Sequence, residues 1–290
     1  MMMRDDFCMF ILTHGRPDAV HTYKSVRRSG YTGKIYLVID DEDKTADRYR
    51  EVYGDEVLQF SKVEVAKTFD EGDNFDDRRV IIYARNACWA LAEQVGCRYF
   101  VQFDDDYTSF FFRYDGRGHY VSHRMKTTLD ATLEALLEFY ENTPITTVAM
   151  AQGGDFIGGD QGANRLRRKA MNSFICSTDR PFQFFGRINE DVNTYTTLGR
   201  RGCLFFTAMQ PQLIQLQTQS NAGGMTDVYL ASGTYLKTFY SVLYSPSCVK
   251  VGLMGDPRGV QARIHHAVNW HRTAPKILRE SHRKASSPKE

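Results

Sequence analysis

Residues Cys97 to Tyr107 constrain this chain more than any other stretch: Cys-Arg-Tyr-Phe-Val-Gln-Phe-Asp-Asp-Asp-Tyr is an apolar run that ends in three consecutive acids. Tyr99, Phe100, Val101 and Phe103 have the β-propensity and run length of a buried strand, and Asp104, Asp105 and Asp106 stand where it leaves the sheet. In an open α/β sheet, ligands bind beyond the carboxyl ends of the strands. Ionised acids there attract a hard divalent cation, which can carry a pyrophosphate. Side chains alternate along a strand, so Asp104 and Asp106 face one way and Asp105 the other. One Asp-x-Asp pair can grip a metal. A solvated acidic turn is the plainer reading of the same residues.

Upstream, Ala84, Ala87, Cys88, Leu91 and Val95 fall at helical spacing between Tyr83 and Val95, with Gly96 as the stop. A helix therefore feeds the strand. The order of an Ala84-Arg85-Asn86-Ala87 helix, a strand and Asp-Asp-Asp resembles the nucleotide-sugar domain of GT-A fold glycosyltransferases. That resemblance implies an α/β fold, a Rossmann-type mixed sheet flanked by helices, with an Asp-x-Asp on this strand end. Arg85 and Asn86, one turn into the helix, would point back toward the nucleotide, Arg toward phosphate and Asn toward the base or a metal-bound acid.

The net charge of +2 conceals an asymmetry. Residues 1–160 hold 28 acids and 19 Lys plus Arg, a balance of −9; residues 161–290 hold 7 and 18, a balance of +11. A basic half suits a polyanion such as nucleic acid, or serves as solubilising surface. With 42% hydrophobic and 25% charged residues, the composition is that of an ordinary globular protein. No run of 18 apolar residues occurs, and Met1 to Asp6 is no signal peptide, so a cytoplasmic protein without a membrane partner is expected. The six cysteines are widely spaced and lack a Cys-x-x-Cys pair, which predicts free core thiols.

Taken from the start, Phe7–Leu12 is a strand, and Thr13-His14-Gly15-Arg16-Pro17 leaves it for a helix over 18–28. In that turn the Thr13 hydroxyl, His14, the Arg16 guanidinium and free backbone N–H groups around Gly15 would meet a nucleotide diphosphate or its base. Lys34–Ile39 is the next strand and ends in Asp40-Asp41-Glu42-Asp43. In the resembling fold an acid here accepts a hydrogen bond from nucleobase or ribose, which makes Asp40 or Asp41 the candidate. Residues 44–53 read as a helix, 57–60 as a short strand and 69–79 as a solvated acidic loop. After the Asp triplet come a hairpin around Asp115-Gly116-Arg117-Gly118, a helix over 127–140 and a strand over 145–151.

Residues 153–162 hold five glycines and no periodicity, which makes them a lid or a plain connection. Arg165, Arg167, Arg168 and Lys169 follow at once and form a candidate hand for a phosphodiester backbone, joined by Arg200 and Arg201. Residues 171–176 read as a strand, 189–198 as a helix capped by Asn189 with Glu190 and Asp191 in its first turn, 203–209 as a strand, 210–224 as a mobile Gln-rich stretch, 227–244 as a helix and 248–251 as a last strand. Inverting GT-A enzymes keep their base in a Glu-Asp pair under the acceptor, and the chemistry needs one carboxylate within reach of the acceptor hydroxyl. Asp191 is the first candidate and Glu190 the second. A C-terminal His often completes the cation's shell in such enzymes. His265 or His266 fits, with His271 third.

Together, Phe10 to Pro17, Ile35 to Asp43, Ala84 to Ala87, Phe103 to Asp106 and Gly186 to Asp191 resemble the bacteriophage TET-associated glycosyltransferases, relatives of base J glucosyltransferase, over roughly residues 5 to 280. The resemblance implies transfer of a sugar from a UDP-sugar to the hydroxyl of 5-hydroxymethylcytosine in DNA, with inversion, in a phage-infected cell. It implies Mn2+ or Mg2+ on Asp104 and Asp106 with a C-terminal His, and donor contacts from Thr13, His14, Gly15, Arg16, Asp40 or Asp41, Arg85, Asn86, Asp104 and Asp105. Residues 1–160 would then be the nucleotide-sugar half, 161–280 the acceptor half and 281–290 a disordered tail. A polysaccharide or protein acceptor, or a DNA-binding protein without sugar transfer, are the rival readings.

Overall fold

A computed structural model of the chain describes residues 2–75, 77–156, 169–216, 225–254 and 263–273. Its centre is β1, Phe7–Leu12, every residue of which is buried. Cys8, Phe10 and Leu12 enter one apolar layer, while Phe7, Met9 and Ile11 enter the other, so alternation along one strand feeds two cores. On one side β1 pairs in parallel with β2, Lys34–Asp40, which pairs in parallel with β3, Val57–Phe60. On its other side β1 pairs in parallel with β4, Tyr99–Asp104. The chain therefore reverses its direction of sheet growth between β1 and β4, and their carboxyl ends flank the crevice that such a reversal opens.

Beyond β4 the sheet becomes mixed. Five further strands, β5 (Tyr107–Tyr114), β6 (Tyr120–Arg124), β7 (Thr147–Ala151), β8 (Ser173–Ser177) and β9 (Phe205–Gln215), complete the order β3-β2-β1-β4-β8-β7-β9-β5-β6. β8 runs antiparallel between β4 and β7, so the sheet crosses residue 160 without a seam. Helices α1 (His21–Arg28), α2 (Ala46–Tyr53), α3 (Lys62–Ala66), α4 (Ile82–Gln94), α5 (Leu129–Glu141) and α6 (Glu190–Arg200) accompany it, and α7 (Met225–Tyr244) carries a separate ribbon of β10 (Val249–Met254) and β11 (Arg263–Val268), followed by α8 (Trp270–Thr273). All six cysteines are buried thiols.

Several expectations are corrected. β9 continues through Gln215 because residues 211–215 pair with β5, so the first six residues of the expected mobile Gln-rich stretch, 210–215, are strand, and 217–224 lie outside the described residues. The acidic 69–79 loop is not simply solvated. Arg187 is buried and pairs with Asp73 at 3.0 Å, the Gly186 and Arg187 N–H groups donate to the Asp70 and Glu71 carbonyls, and the Tyr83 hydroxyl donates to Glu71. A helix in that region, α3, carried no periodic signal strong enough to announce itself in five residues. The 281–290 tail and Arg165, Arg167 and Arg168 lie outside the described residues.

Candidate active site

The turn after β1 is held from three sides. The Thr13 hydroxyl donates to Asp105 at 2.7 Å and meets the Tyr49 hydroxyl of α2 at 2.7 Å. The N–H groups of Gly15 and Arg16, expected to be free for phosphate, are already committed, the first to Asp43 at 2.8 Å and the second to Tyr49 at 3.0 Å. Gly15 adopts φ +70°, a conformation that glycine reaches without strain. What the turn leaves to a ligand is the Arg16 guanidinium, whose Nε lies 3.2 Å from Asp105 but is not aimed at it and has no hydrogen bond.

At the end of β2, Asp40 is buried and saturated. Its Oδ2 faces His14 Nδ1 at 2.7 Å, while its Oδ1 takes Lys62 Nζ at 3.1 Å and the Glu42 N–H at 3.0 Å. Burial pushes its carboxyl up, but His14 and Lys62 outweigh that and leave it lowered. Both Asp40 oxygens thus have partners within the protein, and the residue is 4% exposed. Asp41 spends one oxygen on the Lys62 N–H at 3.0 Å and so steadies the start of α3. Asp43, part of the same acidic run but not singled out in the sequence, holds Gly15 and also accepts the Thr45 hydroxyl and N–H. Lys62 and Tyr49 had no sequence signal beyond their residue type.

The Asp triplet straddles the strand end: Asp104 is the last residue of β4, and Asp105 and Asp106 form the turn that follows. Asp105 turns to Thr13 and Arg16 and anchors the β1 turn, which makes it a positioning residue. Asp104 and Asp106 lack enough positive charge. Burial, then each other's neighbourhood, carries the Asp104 carboxyl up to about 7 even beside Arg85, and burial and Asp105 carry Asp106 up to about 6. Asp106 Oδ1 is buried with no hydrogen-bond partner. An orphaned carboxylate oxygen beside a second raised carboxyl fits a divalent cation. Among the described residues no three His, Cys, Asp or Glu side chains converge to hold a metal, so protein ligands would be these two acids, with phosphate and water completing the shell.

Arg85 is 1% exposed and spans the site. Its Nη2 donates to Asp104 at 3.1 Å and its Nε to Glu190 at 2.9 Å, with the guanidinium 4.9 Å over the Phe174 ring. It does not face phosphate freely, as expected from sequence; it joins the strand-end acids to the start of α6. Only Nη1 is unspent. Asn86 is corrected more fully. Its amide donates to the Phe184 carbonyl at 3.2 Å and accepts the Phe184 N–H at 2.9 Å, so it splints the 182–185 segment.

Glu190 and Asp191 open α6 as foreseen, but Asn189 does not cap it. Asn189 adopts the left-handed conformation (φ 62°, ψ 38°), and its amide goes to Ser241 at 2.5 Å on α7. Glu190 is committed to Arg85, whereas Asp191 accepts the adjacent Val192 N–H at 2.7 Å. Burial and then the Glu190 charge raise the Asp191 carboxyl to about 6. His266 Nδ1 sits 3.4 Å from the Asn189 amide, and burial, then His265, hold its pKa down to about 3. The C-terminal imidazoles thus gather behind the Glu-Asp pair and do not join Asp104 and Asp106 in a common cluster. His271 is exposed on α8. Of the expected DNA-facing cations, Lys169 lies 2.5 Å from Asp155 with its side chain 15% exposed, Arg200 bonds Ser247 and the Tyr244 carbonyl from an exposed position, and Arg201 is exposed beside it.

A cavity of about 260 Å3 lined by Arg98, Tyr99, Tyr140, Ser177 and Arg180 lies at the amino end of β4, far from the acids. Arg180 spends its Nη1 there on the carbonyls of Tyr140, Thr143 and Ile145, which makes this a structural pocket.

Among solved structures, glucosyl-3-phosphoglycerate synthase from Mycobacterium tuberculosis with Mg2+ and UDP is similar at a TM-score of 0.47 and 9% identity, covering 91% of this chain and 88% of that one. The same enzyme with Mn2+, UDP and phosphoglyceric acid gives 0.46 and 10%, covering 91% and 87%, and a mycobacterial protein gives 0.44 and 11%, covering 91% and 84%. No curated protein sequence matches. The sequence profile of the TET-associated glycosyltransferases matches residues 7–224, three quarters of the chain, and with the strand-end acids and the Glu-Asp pair inside that span, the protein belongs to the TET-associated glycosyltransferase family.

Proposed function

We propose that the protein moves a sugar from a UDP-sugar to the hydroxyl of 5-hydroxymethylcytosine in DNA, with inversion at the anomeric carbon. The observation that carries this reading is Asp191: a buried carboxyl raised to about 6 by burial and the Glu190 charge against the opposing pull of Lys237 and Arg85, one residue from the end of the Arg85 bridge. A base works best when its pKa lies near the working pH, a condition the raised Asp191 carboxyl meets, while the Glu190 carboxylate is held in a hydrogen bond by Arg85. Asp191 takes the proton from the acceptor hydroxyl as its oxygen attacks the anomeric carbon. Glu190 and Arg85 fix the start of α6 against the strand end, so that the base and the donor keep one distance. Arg16 and the unspent Arg85 Nη1 are the cations available to the donor's phosphates. Mn2+ or Mg2+ on Asp104 and Asp106 would neutralise the diphosphate as it leaves.

The DNA acceptor is supported by the family's association with TET enzymes and by the +11 balance of residues 161–290, among them the exposed Arg200 and Arg201. A phosphodiester partner makes affinity fall steeply with salt. The test is incubation with Mn2+, a panel of UDP-sugars and duplex DNA carrying cytosine or 5-hydroxymethylcytosine, followed by nucleoside mass spectrometry. A sugar-sized mass gain confined to the hydroxymethylated DNA, and lost in Asp106→Ala, is the expected result. UDP release without a DNA product would keep the donor half of the reading and overturn its acceptor half.

A further inference from the structure

We infer that His14 is the residue that reads the donor's base, its Nε2 accepting the ring N3–H of a uracil on the side opposite its bond to Asp40. This rests on the UDP-sugar reading above and adds which group selects the base and how protons control it. The acid at the end of β2 that would ordinarily be chosen is unavailable, because both Asp40 oxygens are occupied and the residue is buried. His14 stands in front of it at the carboxyl end of β1, with its side chain 46% exposed. Among the described residues its Nε2 has no hydrogen bond, while Nδ1 is fixed at 2.7 Å from Asp40.

The tautomer follows from the partner. An ionised carboxylate only accepts, so Nδ1 carries the proton and neutral His14 presents Nε2 as an acceptor. Uracil offers a ring N3–H donor to such a group, whereas cytosine offers a bare N3 acceptor there. The match inverts on protonation: the imidazolium donates from both nitrogens, which disfavours the uracil N3–H and suits cytosine N3. The charged groups around the ring are Asp40 at the end of β2, Asp43 in the next turn at 3.7 Å, and Lys62 of α3 behind Asp40, while Arg16 on the far side of Gly15 has its Nε 3.2 Å from Asp105. The Asp40 hydrogen bond outweighs burial and Lys62 and leaves His14 more easily protonated than an ordinary histidine. Base selection is thereby placed where modest acidification changes it.

The experiment uses nucleosides, which bring no phosphate and need no metal, so the titrations of Asp104 and Asp106 do not enter. The His14 imidazole is titrated by NMR alone, with uridine and with cytidine, while binding of UDP with Mg2+ is measured in parallel by calorimetry. Uridine is expected to lower the apparent pKa of His14 and cytidine to raise it, and uridine affinity to fall by up to roughly tenfold per pH unit below that pKa. His14→Gln, which keeps an acceptor but cannot titrate, is expected to bind uridine without that pH dependence. Since His14 is half-exposed, this variant leaves the fold intact. UDP binding together with an imidazole titration indifferent to both nucleosides overturns the role of His14 and leaves the donor reading standing. Failure of UDP itself to bind overturns both.

Discussion

Asp191 and Glu190 are neighbours of the same chemical type with different duties, and the difference lies in their partners. Glu190 is held by Arg85 at 2.9 Å, whereas burial and the Glu190 charge raise the Asp191 carboxyl to about 6 despite Lys237 and Arg85, which suits the proposed proton exchange near neutrality. Asp191→Asn is expected to lower turnover by roughly 10²–10⁴-fold with donor binding retained, as kinetics and UDP calorimetry would show. In the wild type kcat/KM should fall as the pH drops through about 6, where the base becomes protonated. The Glu-Asp pair and the Asp triplet were legible in sequence because acids at a helix start and a strand end are local signals. Asn86 and Asn189 were not: each spends its amide on a residue about 50 to 100 positions away, Phe184 and Ser241, and no local pattern records such a bond.

Elements were read well wherever periodicity ran for more than about one turn or alternated cleanly. β1, β3 and α4 fall where their patterns put them, within a residue or so. The 69–79 loop misled because its acids look solvated until the partner, Arg187, arrives from more than a hundred residues later. Removing one member of a buried pair leaves the other uncompensated, so Arg187→Met should cost about 3–5 kcal/mol in denaturant unfolding, and adding Asp73→Asn should recover part of it. In the β1 turn, a Cβ built on Gly15 meets nothing within 4 Å, so Gly15→Ala carries backbone strain alone. A loss of about 1–2 kcal/mol is expected, with the Tyr49 and Asp43 bonds kept.

At the scale of the whole molecule, four carboxyls among the described residues stand above their ordinary range: Asp104 at about 7, Asp106 and Asp191 at about 6, and Asp105, raised by burial. For acids raised on folding, the stability they contribute is complete below the unfolded pKa of about 3.9 and is lost as pH rises through the folded values. Metal-free protein should therefore lose melting temperature between roughly pH 4 and 7 on account of these groups, and Mn2+ should restore more at pH 7.5 than at pH 5, as calorimetry at both would show. The α/β class was legible from alternating strand and helix patterns, but the place of β8 was not, since nothing in five buried residues names their neighbours. β8 comes from the half of the chain expected to hold the acceptor, yet it lies hydrogen-bonded along β4, the strand that ends in Asp104. A gene cut at residue 160 would leave β4 and β7 as long bare edges with no third strand between them, which is the geometry of aggregation. The two halves of this sheet are therefore not modules to be exchanged between relatives; they are inherited together or lost together.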